Sequence, residues 1–310
     1  MTVSVVMSVW NARATIGRAI ESILAQSFED FEFLIIDDGS DDGSDVVLEE
    51  FARRDNRIRV LHQRNAGLTR ALITGCSQAR GKWIARQDAD DWSEPGRLEK
   101  CLELAEKHPK CTMISSWADY RGPAGELLDV VRRPENSAEA TEGLLHRQMG
   151  PPAHGSVMFH RDAYEQVGGY RPEFYFGQDS DLWLRMGARG KIAYVQEVLY
   201  HYTLSAGAIS GRFSDVQRSF GDLGQFCHAA RLRGESEKPF LDELAALSSA
   251  VRSNTSGGSR AAQAGSNYRI GVQLARRGDP AASHYFRAAL RLQPLHWRAF
   301  VRLCISRLIR

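Results

Sequence analysis

Three carboxylates, Asp88, Asp90 and Asp91, fall within four positions directly after the apolar run Trp83-Ile84-Ala85. In an extended chain successive side chains alternate between faces, so Asp88 and Asp90 would share one. Carboxylates held that close repel unless a positive charge lies between them. A hard divalent cation, Mg2+ or Mn2+, answers that need and typically keeps coordination positions open for phosphate oxygens. A solvated acidic turn is the other reading, since Asp-Asp followed by Ser93 and Pro95 would also make one. A second acidic cluster, Asp37-Asp38-Gly39-Ser40-Asp41-Asp42-Gly43, closes another apolar run that begins at Phe31.

The elements that must position these groups can be read in order. Val3 to Val9 is apolar except for Ser4 and Ser8, and reads as a strand buried on both faces. Asn11 to Gln26 places Ile16, Ala19, Ile20, Ile23 and Leu24 at helical spacing. Phe31 to Ile36 is a second strand, Ser44 to Arg54 a helix, and Ile58 to Leu61 a third strand. Asn65-Ala66-Gly67 opens a helix running to Gln78, and Lys82 to Arg86 is a fourth strand. This alternation predicts a doubly wound, mostly parallel α/β sheet with helices on both faces. Ligands of such sheets bind beyond the carboxyl ends of the strands, so both acidic clusters should converge on one crevice. The first turn, Val9-Trp10-Asn11-Ala12, lacks the glycine fingerprint of dinucleotide folds, and no Gly-Lys-Ser/Thr phosphate loop occurs.

The 310 residues suffice for one large domain or two smaller ones, and 43% apolar with 25% charged residues is ordinary for a soluble fold. Five cysteines without paired spacing argue against a disulfide framework or zinc site and for a reducing compartment. Neither a signal peptide nor a run long enough to span a membrane is evident. The net charge of +2 is unevenly placed. Residues 260–310 hold ten Arg against one acid, Asp279, leaving +9 there and −7 elsewhere. Such asymmetry points to a polyanionic partner for the tail.

Seven stretches carry a resemblance. Val-Ser-Val-Val-Met-Ser-Val-Trp-Asn, Leu-Ile-Ile-Asp-Asp-Gly-Ser-Asp-Asp, Asn-Ala-Gly-Leu and Gln-Asp-Ala-Asp-Asp-Trp come in order. They are followed by His154-Gly155-Ser156-Val157-Met158-Phe159, Val167-Gly168-Gly169-Tyr170 and Gly177-Gln178-Asp179-Ser180-Asp181-Leu182-Trp183-Leu184. Over roughly residues 2–211 the chain resembles glycosyltransferase family 2. The resemblance implies a GT-A fold and transfer of a sugar from a nucleotide diphosphate donor, UDP-linked by the same likeness, to an acceptor hydroxyl with inversion. A bacterial cell-surface polysaccharide or glycolipid pathway is the implied setting.

By that resemblance, Ser8 and Trp10 line the nucleobase pocket, where Trp10 stands for the usual Tyr. Asp38 accepts the uracil N–H, with Asp37 capping its turn. Asn65 and Arg70 face the donor, Arg70 toward the phosphates. Asp90 is the metal ligand and Asp88 holds ribose or sugar hydroxyls or shares the metal, so the implied cofactor is Mn2+ or Mg2+. Asp179 matches the base that takes the acceptor proton, with Gln178 where Glu is usual. His154, Asp181 and Trp183 fall on the acceptor side. In place of a family His that can complete the metal shell stands Ser205. His201, four residues earlier, reads more readily as a packed strand residue than as a ligand.

The expected organisation is residues 1–211 as the transferase domain, 212–260 as a helical extension and flexible connector, and 261–310 as a basic all-α tail. Phe213 to Leu247 reads as helical, with Phe220, Leu223, Phe226 and Cys227 on one face. Ser253 to Ser259 reads as the connector. Tyr268, Gly271, Leu274, Ala275, Gly278-Asp279, Ala282, Phe286, Ala289-Leu290 and Pro294 resemble one tetratricopeptide-type hairpin, which must pack on the preceding helices or on a partner. In the last helix Trp297, Phe300, Val301, Cys304, Ile305 and Leu308 share a side. That helix either lies on an anionic membrane or closes the domain against the repeat. The partners implied are a nucleotide sugar, a saccharide or lipid-linked acceptor, and a membrane or protein at the tail. No nucleic acid is expected. The location implied is the cytoplasm or the inner membrane face. Two other classes stay open: a nucleotidyltransferase on a related fold, which would want a Gly-rich basic loop after the first strand, and a binding scaffold with a decayed site.

Overall fold

A computed structural model describes residues 1–204, 214–253 and 260–308. Strands β1 (Val3–Val9), β2 (Phe31–Asp37), β3 (Ile58–His62) and β4 (Trp83–Asp88) alternate with helices α1 (Ile16–Leu24), α2 (Ser44–Arg54) and α3 (Leu68–Ser77). β5 (Trp92–Ser93), α4 (Arg97–Lys107), β6 (Cys111–Arg121), β7 (Leu127–Val131) and α5 (Ser137–Arg147) follow. A 3-10 turn, His154–Ser156, leads into β8 (Met158–His160), α6 (Arg161–Gln166), α7 (Gln178–Gly187) and β9 (Lys191–Thr203). One sheet runs β3-β2-β1-β4-β8-β6-β9-β5, with β7 paired to β6.

β1 to β4 are parallel, and β8 runs antiparallel to both β4 and β6, so the sheet is mixed beyond its first half. The pleat divides the core. Val5, Met7, Phe33 and Ile35 face Ile16, Ile20, Ile23, Leu48 and Leu98 from α1, α2 and α4. Val6, Leu34 and Ile84 face Leu72, Leu144, Leu182, Trp183 and Met186 from α3, α5 and α7 on the other side. Every residue of β2 is buried, as a strand covered on both faces requires.

α1 begins five residues later than the apolar spacing predicts. Asn11 takes a left-handed conformation (φ 51°), donates its amide to Asp41 Oδ1 at 2.8 Å and accepts the Asp41 backbone N–H at 2.9 Å. Its side chain thus ties the first turn to the second instead of starting a helix.

After β9 come α8 (Ser214–Arg233) and α9 (Lys238–Ser253), where one helix was expected; Gly234, at φ 70°, breaks it. Phe220, Leu223 and Cys227 are buried against Phe174 and Phe176, whereas Phe226 is exposed. α10 (Arg260–Arg276), α11 (Ala282–Leu292) and α12 (Trp297–Leu308) close the chain. The expected connector lies mostly outside the described residues. The α10–α12 unit buries Ile270, Leu274, Phe286 and Ala289 against Leu128, Tyr120 and Leu204. Among the described residues its core therefore packs on the β6–β7 hairpin and takes in none of the helices just before it. A Cβ on Gly271 would come within 2.7 Å of the Phe286 ring, so only glycine allows α10 and α11 to approach this closely. α12 buries Ala299 and Leu303; its larger apolar residues face outward. Among the described residues no helix is long and apolar enough to cross a membrane.

Candidate active site

The carboxyl ends of β1, β2 and β4 lie side by side, with Ser8 opposite Asp88 and Val9 opposite Asp37. Asp37 Oδ1 accepts the Ser40 N–H at 3.1 Å and its Oδ2 pairs with His62 at 2.9 Å, so this residue caps the turn. Asp38 is buried and accepts from Gln63 Nε2 (2.6 Å), Ala66 N (2.9 Å) and Gly67 N (2.8 Å). A carboxylate offers about four acceptor directions, which leaves Asp38 one for a further donor. The loop it fixes presents Asn65 and Arg70, both exposed, at the start of α3. Trp10 stands 53% exposed just past β1.

The acidic cluster departs from the alternation argument. β4 ends at Asp88, and Ala89 and Asp90 form a turn. Burial, and then the charge of Asp88, nevertheless push the Asp90 carboxyl up to about 6. The two carboxylates thus feel one another without sharing a strand face. Asp88 Oδ1 accepts from Arg86 Nη2 at 2.8 Å. Arg86 is wholly buried, and its Nη1 donates to the Val6 and Gln87 carbonyls. Asp91 is spoken for: it accepts the Tyr200 hydroxyl at 2.8 Å and the Thr203 N–H at 2.7 Å, tying the loop to β9. Burial raises its proton affinity well above the usual range, and Asp90 and Asp88 add to that. The Tyr200 hydroxyl also accepts the Asp88 N–H at 3.2 Å.

Asp179 is the second residue of α7, whose preceding Gly177 is left-handed (φ 70°). Burial raises its carboxyl above the ordinary range and the charge of Asp88 adds to this, while backbone N–H groups of the helix start and Arg86 oppose. The fold therefore brings Asp179, Asp88 and Arg86 into one field. It does not bring Asp181 there. That side chain is buried, bonded to Arg185 Nη2 at 2.6 Å and Nε at 3.0 Å, with Arg171 and Arg231 each 3.7 Å away. Trp183 is buried too, edge-on to His154 (5.8 Å) and tilted on Phe159 (5.7 Å). His154 Nε2 meets the Tyr170 hydroxyl at 2.7 Å and Arg86 Nε at 3.4 Å. Burial, and then the Arg86 charge, hold it well below its usual value, so this imidazole is neutral. His154 and Trp183 form the packed floor under the acidic cluster.

His201 is a packed strand residue. Its nitrogens meet Asp119 (2.6 Å) and Glu94 (2.7 Å), and its ring stacks on Trp92 at 4.7 Å. Ser205 lies outside the described residues. Among the described residues no group of three or more His, Cys, Asp or Glu could hold a metal by protein ligands alone.

Reading the sequence missed Arg86, Tyr200 and Arg18. Arg86 had a signal: a charged residue inside a run that reads as a buried strand is rarely tolerated unless it is paired. Tyr200 had none, being one of several aromatics in a long strand. Arg18, stacked over Trp92 at 3.9 Å and bonded to the Asp90 carbonyl at 3.2 Å, looked like an ordinary exposed helix residue.

The glycosyl transferase family 2 model matches residues 4–168, more than half of the chain. This protein belongs to glycosyltransferase family 2. The family 2 enzyme is similar to EpsE of Bacillus subtilis (strain 168). The two are 32% identical over 219 residues, covering 68% of this chain and 76% of EpsE. The chondroitin synthase of Pasteurella multocida (strain Pm70) is 27% identical over 218 residues, or 70% of this chain and 22% of that one. Among solved structures, S. aureus TarS 1-349 superposes with a TM-score of 0.60 at 14% identity, covering 99% of this chain and 90% of that one. The mannosyltransferase PcManGT from Pyrobaculum calidifontis, in complex with GDP-Man and Mn2+, gives 0.55 at 16%, covering 99% and 86%. At such identities the likeness speaks for the GT-A fold of this glycosyltransferase, and for nothing finer.

Proposed function

We propose that this glycosyltransferase moves a sugar from a UDP-linked donor to an acceptor hydroxyl in a single inverting displacement, in bacterial cell-surface polysaccharide or glycolipid synthesis on the cytoplasmic side. The observation that supports the reading is that the buried Asp179 carboxyl feels the charges of Asp88 and Arg86, which come from a strand far earlier in the chain. The fold neighbours agree in kind: TarS 1-349 has been solved in complex with UDP-GlcNAc.

Trp10 and Ser8 would line the base pocket, and Asp38 would offer its remaining acceptor direction to the uracil N–H. Asn65 and Arg70 would approach the ribose and phosphates. The cluster suits a divalent cation. Asp90, raised to about 6 by burial and the charge of Asp88, forms no ion pair among the described residues, whereas Asp88 has Arg86. Asp90 and Asp88 would hold Mn2+ or Mg2+, which as a Lewis acid offsets charge on a departing diphosphate. Asp179 would take the acceptor proton from the opposite face of the sugar. Asp181 and Trp183, assigned to the acceptor side on resemblance, would act through the wall they build. The transferase unit is taken as residues 1–211, with 212–260 and 261–310 appended.

Donor binding by calorimetry and transfer rate, measured together, test this. Asp179→Asn keeps size and most hydrogen bonding but accepts no proton, so transfer should fall about 100- to 10,000-fold while donor affinity holds. Asp90→Ala should weaken nucleoside diphosphate binding far more with metal than without. Full transfer in excess chelator would remove the metal from the scheme, and transfer by Asp179→Asn near the wild-type rate would remove the base.

A further inference from the structure

The last helix turns its apolar side away from the protein. At 100° per residue, Phe300, Cys304, Trp297, Val301 and Ile305 form one continuous arc. All five are exposed, Trp297 at 68% and Phe300 at 58%, while the opposite side, Ala299 and Leu303, is buried. Leu295, in the turn before the helix, is 89% exposed and extends the same surface. Arg298 and Arg302 flank the arc and are exposed. Neither forms an ion pair among the described residues; Arg298 lies over Trp297 at 5.4 Å. A cleft of about 430 Å³ opens at the start of α12, between α10 and the preceding turn, walled by Tyr268, Arg269, His296, Trp297 and Arg298. Single exposed apolar residues need no explanation, but a contiguous row rimmed by arginines marks an interaction surface.

We propose that this face docks the enzyme on an anionic phospholipid bilayer. α12 lies in the interface, with Trp297, Phe300, Val301 and Ile305 among the acyl chains. Arg298, Arg302 and, across the cleft, Arg269 reach the lipid phosphates. Charge selects the occupant. Residues 260–310 carry +9, so a second copy brought face to face would set two such segments against each other, whereas anionic headgroups neutralise them. The residue types agree, since an indole at the rim of an apolar face with arginines beside it suits the headgroup boundary. The docking surface is separate from the crevice chemistry, and its test stands apart from that of the transferase reading.

The experiment is vesicle flotation of the full chain, with phosphatidylcholine alone and with phosphatidylcholine mixed with phosphatidylglycerol. The wild type should float with the mixed vesicles only. Arg298→Ser with Arg302→Ser should bind them about thirtyfold more weakly, at roughly five- to sixfold for each lost arginine. Trp297→Ser with Phe300→Ser should lose about a hundredfold through the apolar area no longer buried. All four residues are exposed, so circular dichroism and nucleotide-sugar binding should match the wild type. The proposal is overturned by any of three results: no flotation of the wild type, equal flotation with neutral vesicles, or a stable dimer that Trp297→Ser with Phe300→Ser dissociates.

Discussion

Asp179 carries opposed demands. Burial and the facing Asp88 raise its carboxyl, so the native state binds its proton to higher pH than the unfolded chain does. When ionised, the group therefore costs stability, and that cost disappears as pH falls through its raised value. Two outcomes follow from the sign. The acid limb of the transfer rate should lie above the ordinary carboxylate range, and Asp179→Asn should melt no lower than wild type at pH 7 while losing transfer. A melting temperature well below wild type would show that the carboxylate is structural. Gly155 tests the floor in another way. A Cβ there would fall 1.7 Å from the Tyr200 hydroxyl and 3.0 Å from Asp88 Oδ2. Gly155→Ala should therefore displace Tyr200 from Asp91, cost about 1–3 kcal/mol by thermal unfolding, and weaken donor binding. Unchanged donor affinity would mean that the Tyr200 link does not set the position of Asp88. At Arg86, Lys keeps the charge but loses the fork that reaches Asp88 and the Val6 carbonyl together, so Arg86→Lys should fold yet bind donor and metal more weakly.

Helix α7 has two jobs, and its neighbouring acids divide them. Asp179 feels the charges of Asp88 and Arg86, while Asp181, two positions on, is held by Arg185. Arg171 and Arg231 share Glu237 at 2.6 Å each, so that α7, α8 and the turn before α9 are clamped together. Removing one partner of a buried ion pair strands the other. Asp181→Asn should therefore cost about 3–5 kcal/mol in chemical denaturation. The protein that remains folded should keep its transfer rate per active site and its acceptor KM. A raised acceptor KM with unchanged stability would instead return Asp181 to the acceptor side.

On the scale of the whole molecule, the helical tail is fastened to the sheet. Its core includes Leu128, Tyr120 and Leu204 from the strand side, and the Tyr285 hydroxyl donates to Glu126 at 2.8 Å. The likeness to TarS 1-349 spans 99% of this chain and so takes in these helices. A chain cut after Ser253 would leave that apolar patch on β6 and β7 uncovered, at about 25 cal/mol for each Å2 returned to water. It should melt lower and aggregate more readily than the full chain, yet bind donor with unchanged affinity, since none of Asp38, Asp88, Asp90 or Asp179 touches the tail core. Calorimetric loss of donor binding by a folded truncation would make the tail part of the site.

Which of these features were legible beforehand follows from the range of the forces that set them. The N-terminal strands and the two acidic clusters at their ends could be read from hydrophobic period and turn residues, because a strand buried on both faces must be apolar along its whole length. The motifs, met in order, sufficed for the family. Boundaries set by side-chain bonds across loops were out of reach: nothing near Asn11 says that it will bind Asp41, so α1 was expected too early. Partner choice was equally hidden. Asp179 and Asp181 look alike in the chain, and Asp90 and Asp91 are adjacent, yet Asp181 is taken by Arg185 and Asp91 by Tyr200, while Asp179 and Asp90 are the two proposed for chemistry. The direction of α12 could not be read either. Its apolar residues are at helical spacing whichever way they face, and periodicity gives a face without naming what lies against it. Only the packing of Ala299 and Leu303 on the tail core decides that Trp297 and Phe300 point to solvent, because a helix that lays one side on a core must turn the opposite side away from it.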